Sequence, residues 1–173
     1  MWKQYKKLRK FMEKESVEKI VGVAKFQVSN RPLFYYGNGF LLGFTTRKFR
    51  IENLERIEYG EEGQYLMNIY HFANKELLMK YLNVEDFEDS GIATFEDDII
   101  EGHVNYLSKY SEICKLHKRL GNNDFFQCGI DRVLSNGEFV FRNRFIFWDS
   151  FRLFFEEDSS KAKLSGFQYT PNE

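Results

Sequence analysis

Apolar and polar residues change their period several times along the chain, and the clearest change lies within Tyr65–Asn83. Leu66–Phe72 is apolar and aromatic without a helical period, which predicts a strand. Asn74 can cap a helix over Lys75–Leu82, and Asn83 can end that helix in the left-handed conformation. The pattern therefore predicts a strand that turns directly into a short helix, with the helix packed back on the sheet.

Further strands are predicted where residues alternate, or where β-branched and aromatic residues cluster between turn residues. The predicted strands are Ile20–Val28, Leu33–Tyr36, Phe40–Thr45, Phe49–Ile51, Leu54–Tyr59, Phe125–Leu134, Glu138–Trp148, Phe151–Phe155 and Leu164–Tyr169. Gly37-Asn38-Gly39 separates two of them and predicts a tight hairpin turn. We expect Leu164–Tyr169 to be an edge strand.

Two more helices are predicted from three- and four-residue spacing. Residues 2–15 carry an apolar stripe on one face and six basic residues on the rest. This pattern is typical of a packed helix with a solvated basic face, or alternatively of a helix that faces a membrane or RNA. A longer helix is predicted from Thr94 or Phe95 to about Leu120, with a stop at Gly121. Gly102 weakens its middle, so a break there is an alternative.

Together these elements predict an α+β fold of two antiparallel β-meanders. A short helix follows the first meander and a long helix separates the two. The meanders form either one sheet with helices on one face or two related lobes. The acidic region around Gly91 divides residues 1–90 from residues 91–173, within one compact domain. Both parts place an Asn-Gly turn before an aromatic strand, which indicates either a degenerate duplication or generic turn chemistry.

Composition narrows the class of protein. The chain has 173 residues, of which 43% are hydrophobic and 18% aromatic, enough for one well-packed core. The formal net charge of −1 argues against a general attraction to nucleic acid. Two cysteines do not make a disulfide framework, and no window resembles a signal sequence or a membrane span. We therefore expect a cytoplasmic protein.

Catalytic and metal-binding motifs are weak. Asp97, Asp98, Glu101 and His103 form a compact acidic and imidazole group at a predicted helix start, which suits either a general base or ordinary dipole compensation. Two cysteines and two histidines could be zinc ligands, but their spacing fits no standard zinc site (Cys114, His117, Cys128 and His103). Nucleophile and phosphate-loop motifs are missing from the sequence. The sequence thus predicts a protein that is not an enzyme and needs no cofactor.

Binding of nucleic acid is an alternative with limited support. Phenylalanine and arginine share one strand, as in proteins that stack on single strands. Strict alternation, however, puts Phe139, Phe141 and Phe145 on the face opposite Arg142 and Arg144. This arrangement favours an apolar core with arginines in solvent. The basic residues available for such a function are Lys3, Lys6, Lys7, Arg9, Lys10, Arg142 and Arg144.

The acidic stretch offers a surface for a basic protein partner. An inhibitor of a nuclease gains from acidic side chains, because the active site of a nuclease is basic in order to hold phosphate. The alternative is a solvated acidic loop. The candidate partner-binding residues are Glu85, Asp86, Glu88, Asp89, Asp97, Asp98 and Glu101.

The segment Tyr70–Leu82, which reads Y-x-F-A-N-K-E-L-L-x-x-Y-L, resembles a pattern of small immunity proteins from bacterial polymorphic toxin systems. In that family a strand that ends in an aromatic residue precedes a short helix. The resemblance covers roughly a tenth of the chain. It implies a non-enzymatic inhibitor that neutralises a toxin or nuclease by occluding its basic active site. A phage-encoded anti-defence inhibitor has the same general profile.

Overall fold

The structure is a computed structural model whose sheet joins strands from both ends of the chain. It describes residues 1–85, 87, 89, 91–92, 94–120, 127–135, 138–148, 150–155 and 161–173, with the backbone alone at 117–120, 127–135, 138–145 and 147. Eight strands form an antiparallel sheet in the order β1-β2-β3-β6-β10-β9-β8-β7, and β4 and β5 form a separate two-stranded hairpin.

The described elements are four helices and ten strands. The helices are α1 (Trp2–Tyr5), α2 (Lys14–Val21), α3 (Lys75–Leu82) and α4 (Tyr110–Leu120). The strands are β1 (Phe26–Gln27), β2 (Leu33–Gly37), β3 (Phe40–Thr45), β4 (Lys48–Glu52), β5 (Glu55–Tyr59), β6 (Tyr65–Phe72), β7 (Gln127–Ser135), β8 (Glu138–Trp148), β9 (Phe151–Phe155) and β10 (Leu164–Tyr169). The α+β class is therefore confirmed.

Both faces of the large sheet are covered. On one face, residues of α1, α2 and α4 pack with Phe40, Ile69 and Phe167. On the other face, Leu77, Leu78 and Leu82 of α3 pack with Tyr35, Leu41, Phe72 and Phe154. The expectation of helices on one face only is wrong, because alternate residues of the central strands are apolar in both directions.

The strand–helix unit forms as predicted. The Asn74 side chain accepts hydrogen bonds from the main-chain N–H groups of Glu76 at 2.8 Å and Leu77 at 3.2 Å. Asn83 ends α3 in the left-handed conformation, with φ 54° and ψ 50°. Local capping chemistry therefore fixes both ends of this helix, and an N-cap of this kind is typically worth about 1 kcal/mol.

The tight turn at Gly37-Asn38-Gly39 is also confirmed, and it joins β2 to β3. All three residues have positive φ, which favours glycine at the first and third positions. At Gly39 a Cβ would lie 2.3 Å from the carbonyl oxygen of Phe72, so no side chain fits there. This turn is therefore embedded in the fold and not exposed at its surface.

The predicted helix over residues 2–15 is shorter than expected. Helix α1 ends at Tyr5, and α2 begins only at Lys14. Phe11, between them, has a φ of 67° and donates its N–H to the carbonyl of Leu66 at 2.8 Å. The apolar stripe is nonetheless buried, so bonding to β6 has overridden the helical period while keeping its apolar face in the core.

The long helix predicted from Thr94 or Phe95 to Leu120 is wrong in its first half. Only α4, Tyr110–Leu120, is helical in this described range. Ile100 and Val104 form an isolated β-bridge, and Gly102 between them has a φ of 71°. Ile99 and Val104 are fully buried, so their apolar spacing reflects packing of a turn and not a helical face.

Two strand predictions also need correction. Ile20–Val28 is not one strand, because α2 continues to Val21, Gly22 ends it with a φ of 94°, and β1 covers only two residues. Leu164–Tyr169 is a strand but not an edge strand. It lies between β6 and β9 in the middle of the sheet. β10 thereby joins strands of the first meander to strands of the second, and two related lobes are not seen in the part of the chain that is described.

Candidate functional site

The predicted acidic stretch passes from one face of the sheet to the other around the β2–β3 turn. Phe87 packs against Tyr35 on the α3 face, with ring centroids 4.6 Å apart. Ile92 lies beside Gly39 in the turn. On the opposite face, the carbonyl of Ile99 accepts a hydrogen bond from the indole N–H of Trp2 at 3.3 Å. The described candidate acids therefore do not form a single patch.

The acidic stretch from Glu85 to Glu101 is here called the crossing segment. Asp89 bonds it to the sheet. Its carboxylate accepts hydrogen bonds from the Gly91 N–H and the Tyr35 hydroxyl, both at 2.8 Å, and from the Lys25 ammonium at 3.3 Å. The Gly91 N–H, followed by the Tyr35 hydroxyl, lowers the pKa of Asp89 to about 2. The Tyr35 hydroxyl also accepts the N–H of Gly39 at 3.0 Å. The Asp89 carboxylate is thus committed to internal contacts.

The remaining acids of the stretch differ in their surroundings. Asp98 accepts the Gly102 N–H at 3.1 Å and stabilises the turn that replaces the predicted helix start. Asp97 is half-buried, while Glu85 and Glu101 are exposed. Within the described ranges, none of these four carboxylates forms an ion pair. The other two predicted residues, Asp86 and Glu88, lie outside the described residues.

A second acidic surface was not predicted. An open cleft of about 630 Å³ is lined by four glutamates, here called the acidic cleft: Glu13, Glu15, Glu61 and Glu62. Lys14 also lines the cleft, and its ammonium forms an ion pair with Glu18 at 2.6 Å. Glu15 also faces Lys19 at 3.9 Å, in an exposed pair that solvent screens.

Main-chain pairing assembles the acidic cleft. The N–H of Lys14 donates to the Gln64 carbonyl at 3.0 Å, and the N–H of Leu66 donates to the Met12 carbonyl at 2.9 Å. These bonds bring the start of α2 against the turn that precedes β6. In the sequence the two glutamate pairs are far apart, and the second reads only as the G-E-E-G turn. No local signal joins them.

His71 is a fully buried residue of the core. Its Nδ1 pairs with the Tyr106 hydroxyl while Nε2–H donates to the Asn38 carbonyl at 2.8 Å. Burial away from water lowers the pKa of His71 to about 3. The imidazole is therefore neutral near pH 7 and links the β2–β3 turn to the core from inside.

The other sequence candidates are dispersed. His103 is exposed and stacks on Trp148, with ring centroids 5.8 Å apart, and Cys114 is partly buried. The Cys128 and His117 side chains lie outside the described residues, as do those of Arg142 and Arg144. Over the described ranges, no group of three or more His, Cys, Asp or Glu side chains suits a metal ion.

The basic N-terminal segment packs its apolar residues into the protein. Trp2 and Leu8 are fully buried, and Tyr5 stacks on Phe40 with centroids 3.9 Å apart. This burial agrees with a packed segment and removes the apolar face that membrane insertion would need. None of the described helices has the length and apolar composition needed to cross a membrane.

Comparison with protein-family models, with curated proteins and with solved structures found no match. Any function must therefore be inferred from the side chains themselves.

Proposed function

We propose that the chain is a non-enzymatic inhibitor of the immunity type. It binds a toxin or nuclease and neutralises it by covering a basic active site. The observation that carries this proposal is a set of carboxylates that reach solvent and, among the described side chains, form no ion pair. They are Asp97 and Glu101 on the crossing segment, and Glu13, Glu61 and Glu62 in the acidic cleft.

Exposed carboxylates of this kind mainly change the rate constant of association with a charged partner. Acidic side chains that face solvent raise the rate of encounter with a basic partner, and they orient it before the apolar contacts form. Because the net charge of the whole chain is only −1, the effect must come from local patches. The two patches are built from separate parts of the chain, so their contributions can be measured separately.

The test uses the product of the neighbouring gene as the probe. Two variants change the charge equally, one on each surface: Asp97→Lys/Glu101→Lys and Glu61→Lys/Glu62→Lys. Asp98 and Asp89 are left intact because their carboxylates hold the fold. We expect one variant to weaken binding by about tenfold or more, mostly through slower association.

The control is Glu52→Lys/Glu55→Lys, which makes the same charge change on the exposed β4–β5 hairpin. It should bind like the native chain, as measured by surface plasmon resonance at two salt concentrations. If both acidic-surface variants keep full affinity for a partner that does bind, electrostatic occlusion is wrong. Binding of a short oligonucleotide at low salt, lost as salt rises, would instead favour the nucleic-acid function.

A further inference from the structure

The β4–β5 hairpin, here called the arm, stands apart from the large sheet. In the described part of the chain its strands pair only with each other. Phe49 connects the arm to the body by packing edge-on against Phe11, with centroids 5.3 Å apart. Ile51 is 61% exposed, and Leu54 at the tip is 99% exposed. The arm therefore presents apolar side chains and an unpaired strand edge to solvent.

Unpaired strand edges expose main-chain hydrogen-bonding groups that another strand can satisfy. Glu52 pairs with Glu55 across a two-residue turn. In such a hairpin the residues that flank the turn exchange hydrogen bonds, and the pattern alternates along the strands. Glu55, Ile57 and Tyr59 thus direct their main-chain groups to β4. Arg56 and Glu58 direct theirs outward.

We propose that two copies of the chain associate by antiparallel pairing of β5 with β5 of the second copy, about a two-fold axis at Ile57. In this register Arg56 of each copy lies opposite Glu58 of the other, and their outward main-chain groups exchange hydrogen bonds. The two arms then form one four-stranded sheet. The interface is isologous, as expected of a symmetric dimer.

Charge selects this register over its neighbours. A two-fold axis that passes through a residue of β5 places the outward main-chain groups of the two strands opposite each other. An axis between two residues would place outward groups opposite inward ones. An axis at Arg56 would oppose two arginines, and an axis at Glu58 would oppose two glutamates, both of which are unfavourable. Full pairing of the five residues of β4 would centre on Arg50 and oppose two arginines, whereas an axis at Ile51 would oppose Arg50 and Glu52 but pair only the segment Arg50–Glu52. The axis at Ile57 is the register that both pairs all five residues of the strand and opposes unlike charges.

The side chains of β5 suit this arrangement. The guanidinium of Arg56 lies 3.9 Å from the centroid of the Phe49 ring, and its Nη2 is 3.5 Å from its own Glu58. Both side chains are about half exposed, so in the dimer Arg56 leaves the Phe49 ring and turns to the outer edge of β5, where Glu58 of the second copy would lie. Since the paired strand has only five residues, Glu55–Tyr59, the interface is smaller than a standard one, and we expect micromolar affinity.

The experiment is sedimentation velocity over a concentration series of the full chain. Arg56→Glu and Glu58→Arg each place like charges opposite one another, so each should raise the dimer dissociation constant about tenfold or more. An equimolar mixture of these two variants should form a heterodimer. In it, the glutamate introduced at position 56 of one chain faces the arginine introduced at position 58 of the other, and the native Glu58 faces the native Arg56. The double variant Arg56→Glu/Glu58→Arg should likewise recover the native affinity.

Glu52→Arg is the matched control, because Glu52 lies on β4 and outside the paired edge. It should dimerise like the native chain, and circular dichroism should show all variants folded. A native chain that stays monomeric into the millimolar range overturns the proposal. It is overturned equally if the mixture of single variants stays monomeric, or if Glu52→Arg weakens the dimer as much as Glu58→Arg.

Discussion

The β2–β3 hairpin and the arm share a secondary structure but have opposite environments. Both are antiparallel pairs joined by turns with positive φ. The first lies in the large sheet with apolar residues packed on both faces, and His71 bonds its turn from within. The second has a tip in solvent and charges along both strands. Turn geometry alone therefore does not decide whether a hairpin is buried in the core or exposed to solvent.

The difference follows from what the side chains contact. Phe40 in β3 stacks on Tyr5 and lies 4.4 Å, centroid to centroid, from His71. Ile51 in β4 is also an apolar strand residue but faces solvent. A hairpin whose residues on both faces are apolar gains stability from burial on both sides. A hairpin with charged residues at alternate positions gains little and stays available for contacts with other molecules.

The largest expected effect is the loss of an aromatic ring from the core hairpin. Phe40→Ala should lower the free energy of unfolding by about 3–5 kcal/mol, because the ring is 1% exposed and its removal leaves a cavity. Ile51→Ala on the arm should change it by less than about 0.5 kcal/mol. Urea unfolding followed by fluorescence measures both. Equal losses from the two variants would contradict the contrast between the hairpins.

Acid should weaken the core hairpin through His71. The folded protein keeps this imidazole neutral down to about pH 3, whereas the unfolded chain binds the proton near pH 6.5. Stability is therefore fully present above about pH 6.5, and each pH unit below it removes about 1.4 kcal/mol until about pH 3. Two units of acidification should cost roughly 3 kcal/mol.

His71→Gln is the control for this pH dependence. Glutamine cannot titrate and can still donate to the Asn38 carbonyl, so its stability should change little between about pH 6.5 and pH 4.5. Asp89 does not interfere, because its pKa is lowered to about 2 and its contribution is lost only at more acidic pH. If the native and variant chains lose stability in parallel over this range, the assignment to His71 is wrong.

The smallest expected effect is at the tip of the arm. Leu54 has a φ of 64°, a left-handed conformation that a leucine adopts only with strain. Leu54→Gly converts the turn to Asn-Gly, the sequence that such turns favour, and should stabilise the arm by up to about 1 kcal/mol. Leu54→Ala keeps a Cβ and should not give this gain. Hydrogen exchange of the arm amides measures the difference, and an unchanged exchange rate in Leu54→Gly would refute the strain.

Local chemistry allowed much of the fold to be predicted. Asn74 and Asn83 fix α3 because a cap acts on N–H and C=O groups within a few residues. The Gly37-Asn38-Gly39 turn and the alternation in Glu138–Trp148 are equally local, so these elements match their predicted bounds closely. The sequence also determined that Trp2, Tyr5, Leu8 and Phe11 would be buried, since an apolar stripe needs a partner in any backbone conformation.

The tertiary structure alone decided which elements lie side by side. β10 reads as a terminal strand, but it lies between β6 and β9, since strand order depends on contacts between distant residues. A long-range bond at Phe11 also lies between α1 and α2 where one helix was predicted, and residues 94–109 form a packed, non-helical segment. Long-range bonds also assembled the acidic cleft from glutamates far apart in the chain. Periodicity could not reveal these features, because it records which residues are buried and not which residues they meet.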